Sequence, residues 1–148
     1  QIVTPGCHNL TLWTRWFDAY HIAPWTKPFS FTNGKVAHLW SWEPLFFFGS
    51  NFRRIRANDI FEYPITFDKT AIGHPCPKPP KLWLDLVENY SKSGDVIYEA
   101  FSGSGTTIIV CEQLGRKCRA CEISPGYVAV AIQRWADATG REPERMEG

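Results

Sequence analysis

Residues 95–122 carry the pattern with the clearest chemical use: Asp-Val-Ile-Tyr-Glu-Ala-Phe-Ser-Gly-Ser-Gly-Thr-Thr, a further apolar stretch, then Cys-Arg-Ala-Cys-Glu. Val96 to Tyr98 is a short apolar run with a β-branched bias. Gly103, Ser104 and Gly105 follow at once, and Ile108, Ile109, Val110 and Leu114 then recur at near-helical spacing. The order predicts strand, glycine turn, helix. Such a turn lets a ligand approach bare backbone. A second strand with Glu122 at its tip, 17 positions after Gly105, places a carboxylate to hold two ribose hydroxyls. Together they imply a nucleoside cofactor.

What the turn lacks narrows the class. An NTPase-type phosphate loop needs Lys and then Ser or Thr after its last Gly, whereas Thr106 and Thr107 follow Gly105. The dinucleotide fingerprint wants Gly or Ala three positions beyond its second Gly, and Ile108 stands there.

The stretch resembles the S-adenosylmethionine site of the amino-directed (adenine-N6 or cytosine-N4) DNA methyltransferases, in which a Phe-x-Gly-Ser-Gly-Thr-Thr turn closes the first strand. The likeness extends upstream to His74-Pro75-Cys76-Pro77-Lys78-Pro79 and downstream to Glu122-Ile123-Ser124-Pro125, Tyr127 and Arg134-Trp135. It is similar to the permuted, prophage-like subgroup in which the catalytic half precedes the cofactor half. The resemblance implies a Rossmann-like, permuted α/β fold. It also implies S-adenosylmethionine as cofactor, double-stranded DNA as partner and a bacterial or phage-derived cytoplasmic setting. It is compatible with a homodimer. For the cofactor it implies Lys78, Glu99, Phe101, Gly103, Ser104, Gly105, Thr106 and Glu122, with Ser124 and Pro125 near the adenine. Glu122 would take the ribose hydroxyls and the turn amides would face the methionine end. Lys78 would pair with the methionine carboxylate. The family usually has Asp-Pro before the Phe. Glu99-Ala100 here keeps the acid on a side chain one methylene longer.

The catalytic element of the resemblance is missing. Family members hold the target amino group with Asp, Asn or Ser followed by Pro-Pro and an aromatic, and no such tetrapeptide occurs. Pro79-Pro80 is preceded by Lys78, which has no acceptor, and followed by Lys81, which cannot stack. Thr4-Pro5-Gly6 is a degenerate candidate at most. The catalytic residues are therefore not assigned. The fold is expected to lack its N-terminal catalytic strand, with an upstream segment or a second chain completing the sheet, because a missing central strand leaves backbone groups unpaired. The alternative from another class is a catalytically defective module that binds the cofactor or DNA. An RNA or small-molecule methyltransferase is a third reading.

The elements that must position this chemistry fit one domain of 148 residues. Its expected parts are pocket-lining strands and a helix over 1–49, a short target-recognition segment over 50–73, the cofactor half over 74–140 and a loose tail over 141–148. Ile2-Val3-Thr4 reads as a strand. Asn9 reads as the cap of a helix bearing Leu10, Trp13, Trp16, Phe17 and Tyr20. His21 to Lys27 is a strand, and Leu39 to Phe48 fits a hairpin after a turn at Asn33-Gly34. In the family, strands like these line the target-base pocket, which singles out Trp25, Glu43 and Phe46; plain core is the competing reading. Arg53, Arg54 and Arg56 are candidate DNA-phosphate contacts, or a solvated loop. Leu82, Trp83, Leu86, Val87 and Tyr90 predict a helix entered through Pro79-Pro80. Ser124 predicts the cap of another, stopped by Gly140.

Composition sets the outer limits. Hydrophobic content of 44% is globular, and no apolar run approaches the ~20 residues of a membrane span. A net charge of +1 offers no bulk attraction to nucleic acid, so contacts must be local. Of the five cysteines, Cys118 and Cys121 form a Cys-x-x-Cys that strand alternation points to opposite faces, favouring buried or half-buried thiols over zinc or redox chemistry. Nothing in the spacing of Cys7, His8, His74 and Cys76 requires a metal, and no metal site is assigned.

Overall fold

The computed structural model describes residues 1–28, 41–49, 58–65 and 78–146. The chain packs as two compact units, Gln1–Ile65 and Thr66–Gly148. The division falls within the 50–73 segment expected to serve in target recognition. The turn at Asn33-Gly34, the arginines Arg53, Arg54 and Arg56, and the stretch from His74 to Pro77 lie outside the described residues.

The first unit is built on a four-stranded sheet of β1 (Ile2–Val3), β2 (His21–Thr26), β3 (Trp42–Phe47) and β4 (Phe61–Glu62), in the order β1-β3-β2-β4. The β2 and β3 strands run antiparallel with Pro24 opposite Pro44. Two prolines can face each other in mid-ladder only at a non-hydrogen-bonded position, where neither strand asks the other for an N–H. Their ring nitrogens then face outward, beyond the two-residue outer strands, which pair only Ile2 and Val3 with Phe47 and Phe46, and Trp25 and Thr26 with Phe61 and Glu62. Leu45, Phe46 and Trp25 are fully buried. The helix α1 (Leu10–Trp16) lays Trp13 against Phe46 and Phe48. It ends sooner than its apolar pattern predicts, leaving Phe17 and Tyr20 outside it and exposed. Asn9 sits at its N-cap without a side-chain capping bond, and its side-chain Nδ2 donates to Pro5 O at 2.9 Å.

The second unit holds a parallel pair, β5 (Val96–Glu99) and β6 (Lys117–Ala120), with α3 (Thr106–Leu114) packed on β6 and α2 (Pro80–Tyr90) and α4 (Pro125–Thr139) packed on α3. Pro80 opens α2 at the position where a missing N–H costs nothing. The α2 helix packs along α3, and Val87, Val110 and Cys111 form a core closed by Trp83, Leu84, Ile97, Leu114 and Cys118. The β5–β6 crossover through α3 is the strand, turn and helix read from residues 95–122. Cys118 is half-buried against this core and Cys121, beyond the strand, is exposed. Among the described residues, no helix is long and apolar enough to cross a membrane.

Candidate functional site

The glycine turn joins the carboxyl end of β5 to the first turn of α3, beside the carboxyl end of β6. In an open parallel sheet this is the edge where ligands bind. Ladder bonds bring the two strand ends together: the Cys121 amide donates to Glu99 O at 2.8 Å and the Ser102 amide to Cys121 O at 3.0 Å. Glu122 stands just past this junction. Its Oε2 accepts the Gly103 amide at 2.8 Å and its Oε1 accepts the Ser124 amide at 2.9 Å. These two bonds fix the carboxylate at the junction of the turn, the strand end and the helix start.

Glu99 plays a similar part on the other side of the turn. Its Oε1 accepts the Phe101 amide at 3.1 Å and its Oε2 the Thr107 hydroxyl at 2.9 Å, which ties the end of β5 to the first turn of α3. The extra methylene of Glu99, relative to the usual Asp, spans this gap. The Gly105 amide closes on Ser102 O at 3.0 Å. Two turn amides expected to face a ligand, those of Gly103 and Gly105, thus donate within the protein. Ser102 Oγ is buried with no hydrogen-bond partner among the described residues.

Contrary to what the sequence pattern suggests, the bare Cα of Gly105 does not admit a ligand: a Cβ there would lie 2.7 Å from Ala131 Cβ, so the space belongs to α4. With φ at +81° the position is also left-handed. Ser104, Thr106 and Thr107 are buried alongside it. Arg134, one helical turn beyond Ala131, donates from Nη1 to Ser104 O at 2.6 Å and to Ser104 Oγ at 3.1 Å. In the sequence Arg134 stands out only as part of the resemblance. Its three-residue spacing from Ala131 on α4 was the available sign that both face the turn.

The open surface is apolar. Phe101 is 87% exposed and Ile123, next to Glu122, is 98% exposed, at the ends of adjacent strands. Ser124 is the N-cap of α4 without a side-chain capping bond, its backbone amide donates to Glu122, and Pro125 is the first residue of the helix. Lys78 is half-buried two residues before α2. The structure therefore gathers Glu99, Phe101, Gly103, Ser104, Gly105, Thr106, Glu122, Ser124 and Pro125 at one end of the β5–β6 pair.

In the first unit, Trp25 and Phe46 are wholly buried and offer no ring face to a base, so they serve as core here. The Trp25 indole N–H donates to Tyr63 O at 2.9 Å. Glu43 forms an ion pair with the buried Lys27 ammonium, which also lies 4.8 Å above the Trp25 ring.

A family model described as DNA methylase matches residues 33–133, more than two thirds of the chain. The chain belongs to this DNA methylase family. The orphan methyltransferase M.BamHII of Bacillus amyloliquefaciens is 39% identical over 69 residues, which is 47% of this chain and 26% of that protein. The matched stretch is thus about a quarter of the curated relative. Among solved structures, the M1.HpyAVI–SAM complex superposes with a TM-score of 0.67 at 18% identity, covering 90% of this chain and 72% of that one. The cytosine-N4-specific PvuII DNA methyltransferase also gives 0.67, at 19% identity, covering 86% and 55%. At these identities the superpositions establish that this family member has their fold.

The site chemistry suits an adenosine ligand. A carboxylate held by two amides can accept from paired hydroxyls, and the exposed Phe101 and Ile123 give a flat purine apolar surface to cover.

Proposed function

We propose that this chain is the cofactor-binding part of a DNA methyltransferase that moves a methyl group from S-adenosylmethionine to an exocyclic amino group of adenine or cytosine. The observation that carries the reading is Glu122, fixed at the carboxyl end of β6 by the Gly103 and Ser124 amides beside the exposed Phe101 and Ile123. When bound, S-adenosylmethionine supplies an electrophilic methyl on a sulfonium. Glu122 would accept the ribose hydroxyls, Phe101, Ile123 and Pro125 would border the adenine, and Lys78 would pair with the methionine carboxylate. Glu99 and Arg134 would hold the turn that the ligand lies across. Double-stranded DNA is the proposed partner, contacted through Arg53, Arg54 and Arg56, in a bacterial or phage-derived cytoplasm.

The acceptor-Pro-Pro-aromatic tetrapeptide would have to come from an upstream segment or a second chain. One face of the β5–β6 pair supports that view. Val96 and Tyr98 are exposed on it, whereas parallel strands are ordinarily covered on both faces. The lack of the tetrapeptide in this sequence favours a second reading, a module that binds without turnover.

Calorimetric titration with S-adenosylmethionine and an assay for labelled methyl transfer to DNA test the two readings together. Binding, with transfer once a segment or chain bearing the acceptor-Pro-Pro-aromatic tetrapeptide is supplied, supports the first, and binding without transfer even then supports the second. No binding of the cofactor refutes both.

A further inference from the structure

We propose that the Gln1–Ile65 unit pairs with a second copy of itself through the outer side of α1, about a two-fold axis that passes between Trp16 and Phe17. The interface stands independently of the methyltransferase reading.

Local structure explains why this side is open. Within α1, Trp13 turns inward onto Phe46 and Phe48. Leu12 and Trp16 lie one turn apart on another side of the helix, and both are exposed. The chain leaves the helix at Phe17, whose backbone is extended at φ −135° and ψ 127°, so Phe17 and Tyr20 do not continue the inward stripe. The Phe17 ring rests 4.8 Å from the Trp13 ring and 6.3 Å from Phe48, which fixes it while half of it stays open. Trp16, Phe17 and Tyr20 are 68%, 51% and 72% exposed. At about 150–250 Å² per aromatic side chain, roughly 400 Å² of ring surface meets water within five residues. An apolar patch of that size commonly serves binding.

Charge decides what binds. The Arg15 guanidinium lies 5.8 Å from the centre of the Trp16 ring, and Asp18 is exposed just beyond Phe17. Neither has an ionic partner among the described residues. One cation and one anion thus flank the two rings symmetrically along the chain. An axis between positions 16 and 17 exchanges 15 with 18 and 16 with 17, so each Trp16 meets Phe17 of the partner subunit and each Arg15 meets Asp18 of the partner subunit. The patch complements itself in both apolar surface and charge. A lipid surface calls for a helix face rich in Lys and Arg, and Arg15 is the one charged residue of α1. A nucleic-acid backbone would be repelled by Asp18. A stable dimer covers about 800 Å² on each copy, so the aromatic patch makes roughly half of it, the apolar centre, with Arg15 and Asp18 at the rim.

Sedimentation velocity of the 148-residue chain tests the proposal. The wild type should sediment as a dimer at about 50 μM. Trp16→Ala should weaken the dimer about thirtyfold or more. Arg15→Asp and Asp18→Arg should each weaken self-association about tenfold or more, because each sets like charges opposite one another at both ends of the axis. Mixed in equal amounts, these two variants should form a heterodimer in which one copy supplies both carboxylates and the other both guanidinium groups. Misfolding or a foreign partner cannot produce that result. A wild type that stays monomeric up to about 200 μM, a dimer that survives Trp16→Ala, or charge variants that fail to associate on mixing overturns the proposal.

Discussion

The Gly103 amide donates to Glu122 Oε2 across 2.8 Å, joining the turn after β5 to the residue that follows β6. The other oxygen of the same carboxylate receives the Ser124 amide at the start of α4. One side chain thus fixes a loop, a strand end and a helix start. Glu122→Ala should therefore do two things at once. It should abolish most S-adenosylmethionine affinity by calorimetry and lower unfolding stability by about 1–3 kcal/mol, because two part-buried donors lose their acceptor. Glu122→Gln keeps one carbonyl acceptor and should recover most of the stability but less of the affinity. Affinity unchanged in the Ala variant would count against Glu122 as a cofactor ligand.

Gly105 and Ala131 meet as closely as their backbones allow. Gly105→Ala adds a methyl 2.7 Å from Ala131 Cβ at a left-handed position and should cost roughly 2–4 kcal/mol in urea denaturation. Gly94→Ala is the control. Its φ is also positive, at +86°, but nothing lies within 4 Å, so only about 1–2 kcal/mol should be lost. Adding Ala131→Gly to Gly105→Ala should relieve the Cβ contact, though neither the backbone strain nor the 3.0 Å approach to the Cα of residue 131, giving a favourable coupling of about 1–2 kcal/mol. Equal losses at Gly105 and Gly94 would show that α4 is not packed on the turn.

The second unit was largely legible because its signals are local. Pro80, the apolar spacing of α2 and α3 and the stop at Gly140 are all set by residues within a few positions of one another. What stayed hidden depends on contacts between distant residues. Neither the Arg134 clasp on Ser104 nor the filling of the Gly105 space by Ala131 follows from either segment alone. Asn9 and Ser124 stand at the N-caps that their side-chain types suggest, but neither side chain makes a capping bond, and the Asn9 Nδ2 donates instead to Pro5 O. In the first unit the aromatic strands were legible as strands. Which alternate residues face the core was not, and Trp25 and Phe46 proved to be buried.

Lys27 and Glu43 form an ion pair from which most water is excluded, with the ammonium also over the Trp25 ring. Removing one partner strands the other charge. Glu43→Gln should cost about 3–5 kcal/mol of stability, while the double replacement Lys27→Met with Glu43→Gln should return much of it. Denaturant midpoints of the two single variants, the double variant and the wild type complete the cycle. A double variant no more stable than Glu43→Gln would mean that the ammonium is not left uncompensated.

The thiols differ in environment enough to predict an order of reaction. Cys121 is exposed. Cys111 is buried, and the hydrogen bond from Cys118 holds its pKa below the usual thiol range. Cys118 is pushed far up by that same bond, with burial adding to it. Cys118 thus keeps its proton, and the anion that Cys111 would form is shut inside the α2–α3 core. Cys7 is raised by burial and by the nearby Glu43, so its reactive thiolate is scarce at neutral pH. Among the cysteines of the described residues, iodoacetamide applied to the folded chain at neutral pH should therefore label Cys121 first and Cys7 more slowly, with Cys111 and Cys118 labelled only after unfolding. Peptide mass spectrometry over a time course reads this order directly. Labelling of Cys118 as fast as Cys121 in folded protein would mean that β6 is not held against α3 as described.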